Sequence, residues 1–172
     1  MQFTKDSFYM TLLTRLTSVN PQRTVTLNGT TRPAIIVAEN ELVIPVEPLP
    51  DAFYIEWGSA EALERQVGSR ALMAMGCTIS YHTLGTVQSG VDRGRALAEL
   101  DTELLSICQP QHTEKRDYTQ APSLDMGTGI SWTTPKFSEV TGVDARYKTN
   151  LAPLLERKAT LSVLFFPEVN IL

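Results

Sequence analysis

Two residue types that pair in catalysis stand close together in "RALMAMGCTISYHT", Arg70 to Thr83: Cys77 and His82. A thiolate can attack while an imidazole takes its proton when the two groups lie about 2.6–3.2 Å apart. The same stretch alternates in character. Ala71, Met73, Met75, Cys77, Ile79 and Tyr81 fall on one face at period two, and Leu72, Ala74, Gly76, Thr78, Ser80 and His82 fall on the other. An odd separation puts Cys77 and His82 on opposite faces of a strand. At about 3.3 Å per residue they also stand roughly 16 Å apart. The spacing predicts a central strand and rules out a catalytic dyad within it.

The remaining chemistry is sparse. The chain has 2 histidines and 2 cysteines. Neither C-x-x-C nor H-x-x-x-H spacing occurs, so no metal site is expected and Cys77 and Cys108 read as buried free thiols. There is no phosphate loop, no G-x-G-x-x-G and no G-x-S-x-G elbow, and hence no expected cofactor or catalytic residue. The glycines of "MGTGISW" precede a strand rather than open a helix, so they read as turn glycines. Glu99, Asp101 and Glu103 are spaced by two on a helix. They splay by about 200° per step and read as a solvated face. A small-ligand module or enzyme would need a pocket near His82, with Cys77, Asp92 and Arg93 as the residues to inspect.

Composition narrows the class. The chain has 172 residues, 42% hydrophobic and 20% charged, which suits one globular domain. A net charge of -4 argues against general nucleic-acid binding, which needs a concentrated basic surface. The opening "MQFTKDSFYMTLLTRLTSVN" lacks the apolar core of a signal peptide, and no stretch approaches the roughly 18 apolar residues that span a bilayer.

The positioning elements follow from periodicity. A first helix is expected from Asp6 to Val19, with Tyr9, Leu12, Leu13, Leu16 and Val19 as its stripe and Asp6 or Ser7 as its cap. Asn28-Gly29 predicts a type I′ hairpin, and Ala34 to Ala38 is a short β-branched run. "ELVIPVEPLPD" carries three prolines and reads as an edge or extended loop. "AFYIEWG" predicts a strand with Phe53, Ile55 and Trp57 on one face and Tyr54 and Glu56 on the other as a candidate exposed contact. A short helix, "AEALERQV", is expected after Ser59. A second long helix is expected from Ser89 or Asp92 to about Cys108, buried through Ala96, Leu97, Leu100, Leu104, Ile107 and Cys108. "TGISWTTPKF" reads as a strand interrupted at Pro135, and Ala159, Leu161, Val163 and Phe165 mark a last half-buried strand. The order predicts a single α+β domain over 1–172. Its antiparallel or mixed β-sheet carries two main helices on one face.

Gln109 to Gly127 is polar, rich in turn formers and without apolar period, so a long polar loop is expected there. Its centre, "HTEKRDYTQ", mixes both charge signs with one aromatic. An interaction loop and a plain surface loop share that composition.

The layout resembles the tail-terminator and tail-completion family of long-tailed bacteriophages and prophages. The resemblance rests on a short N-terminal helix before "RPAIIVAENE", the long strand "RALMAMGCTISYHT", the amphipathic "DRGRALAELDTELLSIC" and the closing "RKATLSVLFFPEV". It lies in element order and hydrophobic pattern, and a neck or minor tail protein is equally compatible. The resemblance implies a structural protein without a reaction, assembled as a ring, usually hexameric, against the tail-tube protein and head–tail connector proteins. It would reside in the cytoplasm of the bacterial host before assembly and in the virion tail or neck afterwards. Contacts would fall on Lys115, Arg116, Asp117 and Tyr118 and on the edge carrying Leu42, Ile44 and Val46.

Overall fold

The computed structural model describes residues 1–40, 48–63, 70–84, 91–138, 141–142 and 155–168. Two helices, α1 (Gln2–Val19) and α2 (Asp92–Ile107), accompany ten strands. These are β1 (Thr24–Leu27), β2 (Thr30–Pro33), β3 (Ile35–Val37), β4 (Phe53–Ala62), β5 (Met73–Thr83), β6 (Thr113–Asp117), β7 (Leu124–Trp132), β8 (Lys136–Phe137), β9 (Thr141–Gly142) and β10 (Leu155–Phe165).

β5 and β10 form the centre of an eight-stranded sheet ordered β3-β4-β5-β10-β7-β6, with β8 and β9 also on β10. They pair antiparallel from Leu155↔Thr83 to Phe165↔Met73. Among the described residues only β3–β4 is parallel, so the sheet is mixed. The alternation read from the sequence matches the burial. Met75, Cys77, Ile79 and Tyr81 of β5 face the helices with Ala159, Leu161, Val163 and Phe165 of β10.

Both helices pack on that one face. α2 buries Leu97, Leu100, Leu104 and Ile107, as its spacing requires. α1 begins four residues earlier than expected, at Gln2, and its buried side is Thr4, Ser7, Phe8, Leu12 and Leu16. Phe8 therefore replaces Tyr9 at the centre of the stripe, and Val19 is 48% exposed. The reason lies in the partners. Phe8 sits edge-on to Trp57 at 5.6 Å and to Trp132 at 5.2 Å, a slot no other residue of α1 fills. Ser7 is not a cap. It lies inside the helix, and its hydroxyl donates to Phe3 O at 2.7 Å.

The Asn28-Gly29 turn forms as expected, with φ of 50° and 79°, and joins β1 to β2. This hairpin covers part of the opposite sheet face, where Val25, Ala34, Ile36, Ala52 and Tyr54 make a second small core. Tyr54 is thus not an exposed contact. It is 9% exposed and its hydroxyl accepts the Leu49 amide at 2.6 Å.

Two further expectations change. β4 does not close at Gly58 but runs on to Ala62 through a bulge, where Gly58 and Ser59 oppose Gly76. Ser59 to Ala62 are therefore strand. Leu63 is a bend, and the rest of the expected short helix, 64–67, lies outside the described residues. The long polar loop at 109–127 is also overturned. Thr113–Asp117 and Leu124–Trp132 pair as an antiparallel hairpin. β6 buries the Lys115 stem instead of an apolar side chain, and β7 buries apolar side chains only at Ile130 and Trp132, beyond this segment, so a hydrophobic count does not see the hairpin.

The Phe8 slot yields a stability test. Phe8→Ala should destabilise the fold by about 3–5 kcal/mol, because the cavity between two tryptophans cannot collapse. Tyr9→Ala, at a half-buried position one residue on, should cost less than half as much. Denaturant unfolding followed by tryptophan fluorescence checks both.

Candidate functional site

The cysteine and histidine of β5 part company as the strand geometry requires. Cys77 is 2% exposed in the helix-side core, and Cys108 at the end of α2 is fully buried. Burial drives both thiols upward, Cys108 to about 12 and Cys77 higher still. His82 lies on the other face of β5, opposite Glu156 of β10. Burial lowers its pKa while Glu156 and Asp51 pull it back up. Asp92 and Arg93 open α2 on the helix side, so His82 does not converge with Cys77, Asp92 and Arg93.

The α2 carboxylates prove to be ties as well as surface. Asp101 accepts the buried Tyr81 hydroxyl at 2.5 Å and faces Arg157 Nε at 3.4 Å. Burial, then the Asp101 hydrogen bond, push the Tyr81 phenol up. Glu103 takes a bidentate Arg23, at 2.9 Å for each bond, and the Asn20 amide at 2.6 Å. Sequence spacing correctly keeps these carboxylates from sharing a site, but it missed that tertiary partners claim Asp101 and Glu103. Glu99 remains outside and lines a shallow depression of about 560 Å³ with Arg95, Ala98 and Thr102.

The segment singled out as a contact loop is the β6–β7 hairpin, and its residues split. Lys115 is 1% exposed, which removes it from any surface. Its ammonium donates to Phe166 O at 2.6 Å and lies 3.5 Å from the Glu168 carboxylate, fixing β6 to the end of β10. Arg116 is half-buried and braces the hairpin internally. Its guanidinium donates to Ser123 Oγ at 3.0 Å, Ser123 O at 2.9 Å and Glu114 Oε2 at 2.6 Å. The Arg116 amide donates to Ser7 Oγ of α1 at 2.8 Å, so α1 occupies part of this sheet edge. Asp117 holds the turn by accepting the Thr119 amide at 2.8 Å. Tyr118 reaches the surface, 37% exposed, next to Asp117, whose register partner Leu124 is 59% exposed. Leu124 is not among the expected contact residues, because a single leucine in a polar stretch carries no periodic signal. Leu42, Ile44 and Val46 lie outside the described residues.

A second feature follows from the same hairpin. One residue of β6, Lys115, opposes Met126 to Thr128 of β7, a bulge in which Gly127 takes φ of 66° and Asp125 accepts its amide at 2.8 Å. The resulting depression of about 270 Å³ is lined by His112, Glu114, Asp125 and Thr128. Among the described residues, no three His, Cys, Asp or Glu side chains group to hold a metal ion, and no helix is long and apolar enough to cross a membrane.

No protein-family model and no curated protein matches the chain.

The buried, protonated thiols give a direct chemical test. Cys77 and Cys108 should both resist a neutral thiol reagent in the native protein and react fully on unfolding. Mass spectrometry of labelled native and denatured samples checks this. Native labelling of Cys77 at the rate of a free peptide thiol would contradict its placement.

Proposed function

We propose that this chain is a structural protein that works through subunit and partner contacts, completing or terminating a phage or prophage tail at the head–tail junction. The observation that carries the reading is the β6–β7 hairpin. Tyr118 and Leu124 are presented to solvent at its turn, on a stem braced by Arg116 and anchored by Lys115. Exposed aromatic and aliphatic side chains on a preorganised stem are what a contact surface needs, because little ordering entropy is lost on binding. The element order and the long central strand support the same reading through their resemblance to tail-terminator and tail-completion proteins. In this role the chain assembles as a homo-oligomeric ring and meets the tail-tube and connector proteins, passing from the host cytoplasm into the virion tail or neck.

Light scattering coupled to size-exclusion chromatography tests this. The chain should run as a ring, alone at high concentration or on adding the tail-tube protein. Tyr118→Ser combined with Leu124→Ser should reduce that assembly at least about tenfold without loss of helical signal. A monomer under both conditions, or a ring indifferent to the double substitution, would contradict the reading.

A further inference from the structure

The helix-free face of the sheet is polar and open over its middle. Its residues stand in rows set by the strand registers. One row runs Glu56–Thr78–Thr160–Lys136 across β4, β5, β10 and β8. The next toward the β10 C-terminus opposes the Gly58–Ser59 bulge to Gly76 and Ser162, and the one beyond it runs Glu61–Ala74–Leu164–Ser131. Phe166, 39% exposed, and Leu63, 49% exposed, extend that end. The opposite end carries Ser80 and the exposed Lys158. Along β10 the face therefore runs from apolar Leu164 and Phe166 to charged Lys158, and across the strands it runs from acidic on β4, with Glu56 and Glu61, to basic on β8, with Lys136.

We infer that this face docks onto the same face of a second copy of the chain, about a two-fold axis parallel to the strands and running between β5 and β10. That operation exchanges β5 with β10 and the β4 side with the β8 side while keeping each end on itself. Gly76 then meets Ser162 of the second copy and Thr78 meets its Thr160, while its Leu164 closes over the already buried Ala74. Small side chains on one strand receive larger ones from the other, as aligned sheet packing about 10 Å apart requires. Glu56 meets Lys136 of the second copy, twice by symmetry. A two-fold across the strands fails both conditions, because it sets Leu164 and Phe166 against the charged Lys158–Glu156 end and lays β4 on β4, which takes Glu56 away from Lys136.

The area sets the strength. Four strands about 4.8 Å apart and rows from Ser80 to Phe166 at about 3.4 Å per residue span roughly 500 Å² per copy. A stable interface buries about 800 Å² per partner, so the dimer is reversible and concentration-dependent.

Sedimentation equilibrium in the Tyr118→Ser, Leu124→Ser background tests it, because the hairpin contact then contributes nothing and the two contacts are judged separately. The expected species is a dimer at high micromolar concentration that dissociates on dilution. Glu56→Lys or Lys136→Glu alone should raise its Kd about tenfold or more, since each places like charges together at two symmetric points. The combined swap should bring the Kd back to within about threefold of the parent. Thr160→Arg, at the exposed centre, should abolish the dimer while leaving the circular dichroism unchanged. A monomer at every concentration, a dimer indifferent to these changes, or a swap no better than its single members would each overturn the inference.

Discussion

Everything in this fold hangs on the antiparallel pairing of β5 with β10, which joins residues 73–83 to residues 155–165 along eleven matched positions. The two strands are far apart in sequence, so their pairing closes a long loop before it gains any contact. What offsets that cost is the shared apolar face. Met75, Cys77, Ile79 and Tyr81 lie beside Val163, Leu161, Ala159 and Arg157, and all except Arg157 are in the main core under α1 and α2. Its other edge is divided among β7, β8 and β9, each a short pairing that depends on β10 being in place.

The helices are then fixed by polar ties at the margins of that core. Arg15 of α1 donates to Ile107 O at 2.7 Å and Gln109 O at 2.8 Å, which satisfies the carbonyl end of α2, and its guanidinium lies 5.2 Å from the Trp132 ring. Trp132 Nε1 donates in turn to Cys108 O at 3.1 Å. The pair Arg23–Glu103, the bond Tyr81–Asp101 and the buried Lys115 do the same at other corners. Each is a charged or polar group brought in from its own element with a partner waiting, which is the condition under which such groups can be buried. Cys77 and Cys108 serve packing, and the Asp101 and Glu103 carboxylates serve these ties.

Much of this was legible in the sequence because the hydrophobic pattern is strict where the core is two-sided. β5, β10 and α2 alternate or repeat at their own periods, and Asn28-Gly29 announces its turn. The geometry of β5 alone separated Cys77 from His82. What could not be read depended on partners far along the chain. Phe8 displaced Tyr9 only because Trp57 and Trp132 frame it. The β6–β7 hairpin showed no apolar period because Lys115 fills its buried position with a stem whose ammonium finds Phe166 O. Asp101 and Glu103 looked like solvated acids until Tyr81 and Arg23 were folded against them. Of the candidate contact residues, Tyr118 kept its place at the surface, while Lys115 moved inside.

The central claim is that the surface of this protein, led by the hairpin turn, acts by binding other protein chains. Amide hydrogen exchange, compared between dilute protein and protein concentrated or mixed with a tail-tube protein, addresses it most directly. The account predicts new protection across Tyr118 to Leu124 in the concentrated or mixed sample, with the amides of β5 and β10 already slow in both. Unchanged exchange at the hairpin turn under every condition that produces an assembly would contradict it.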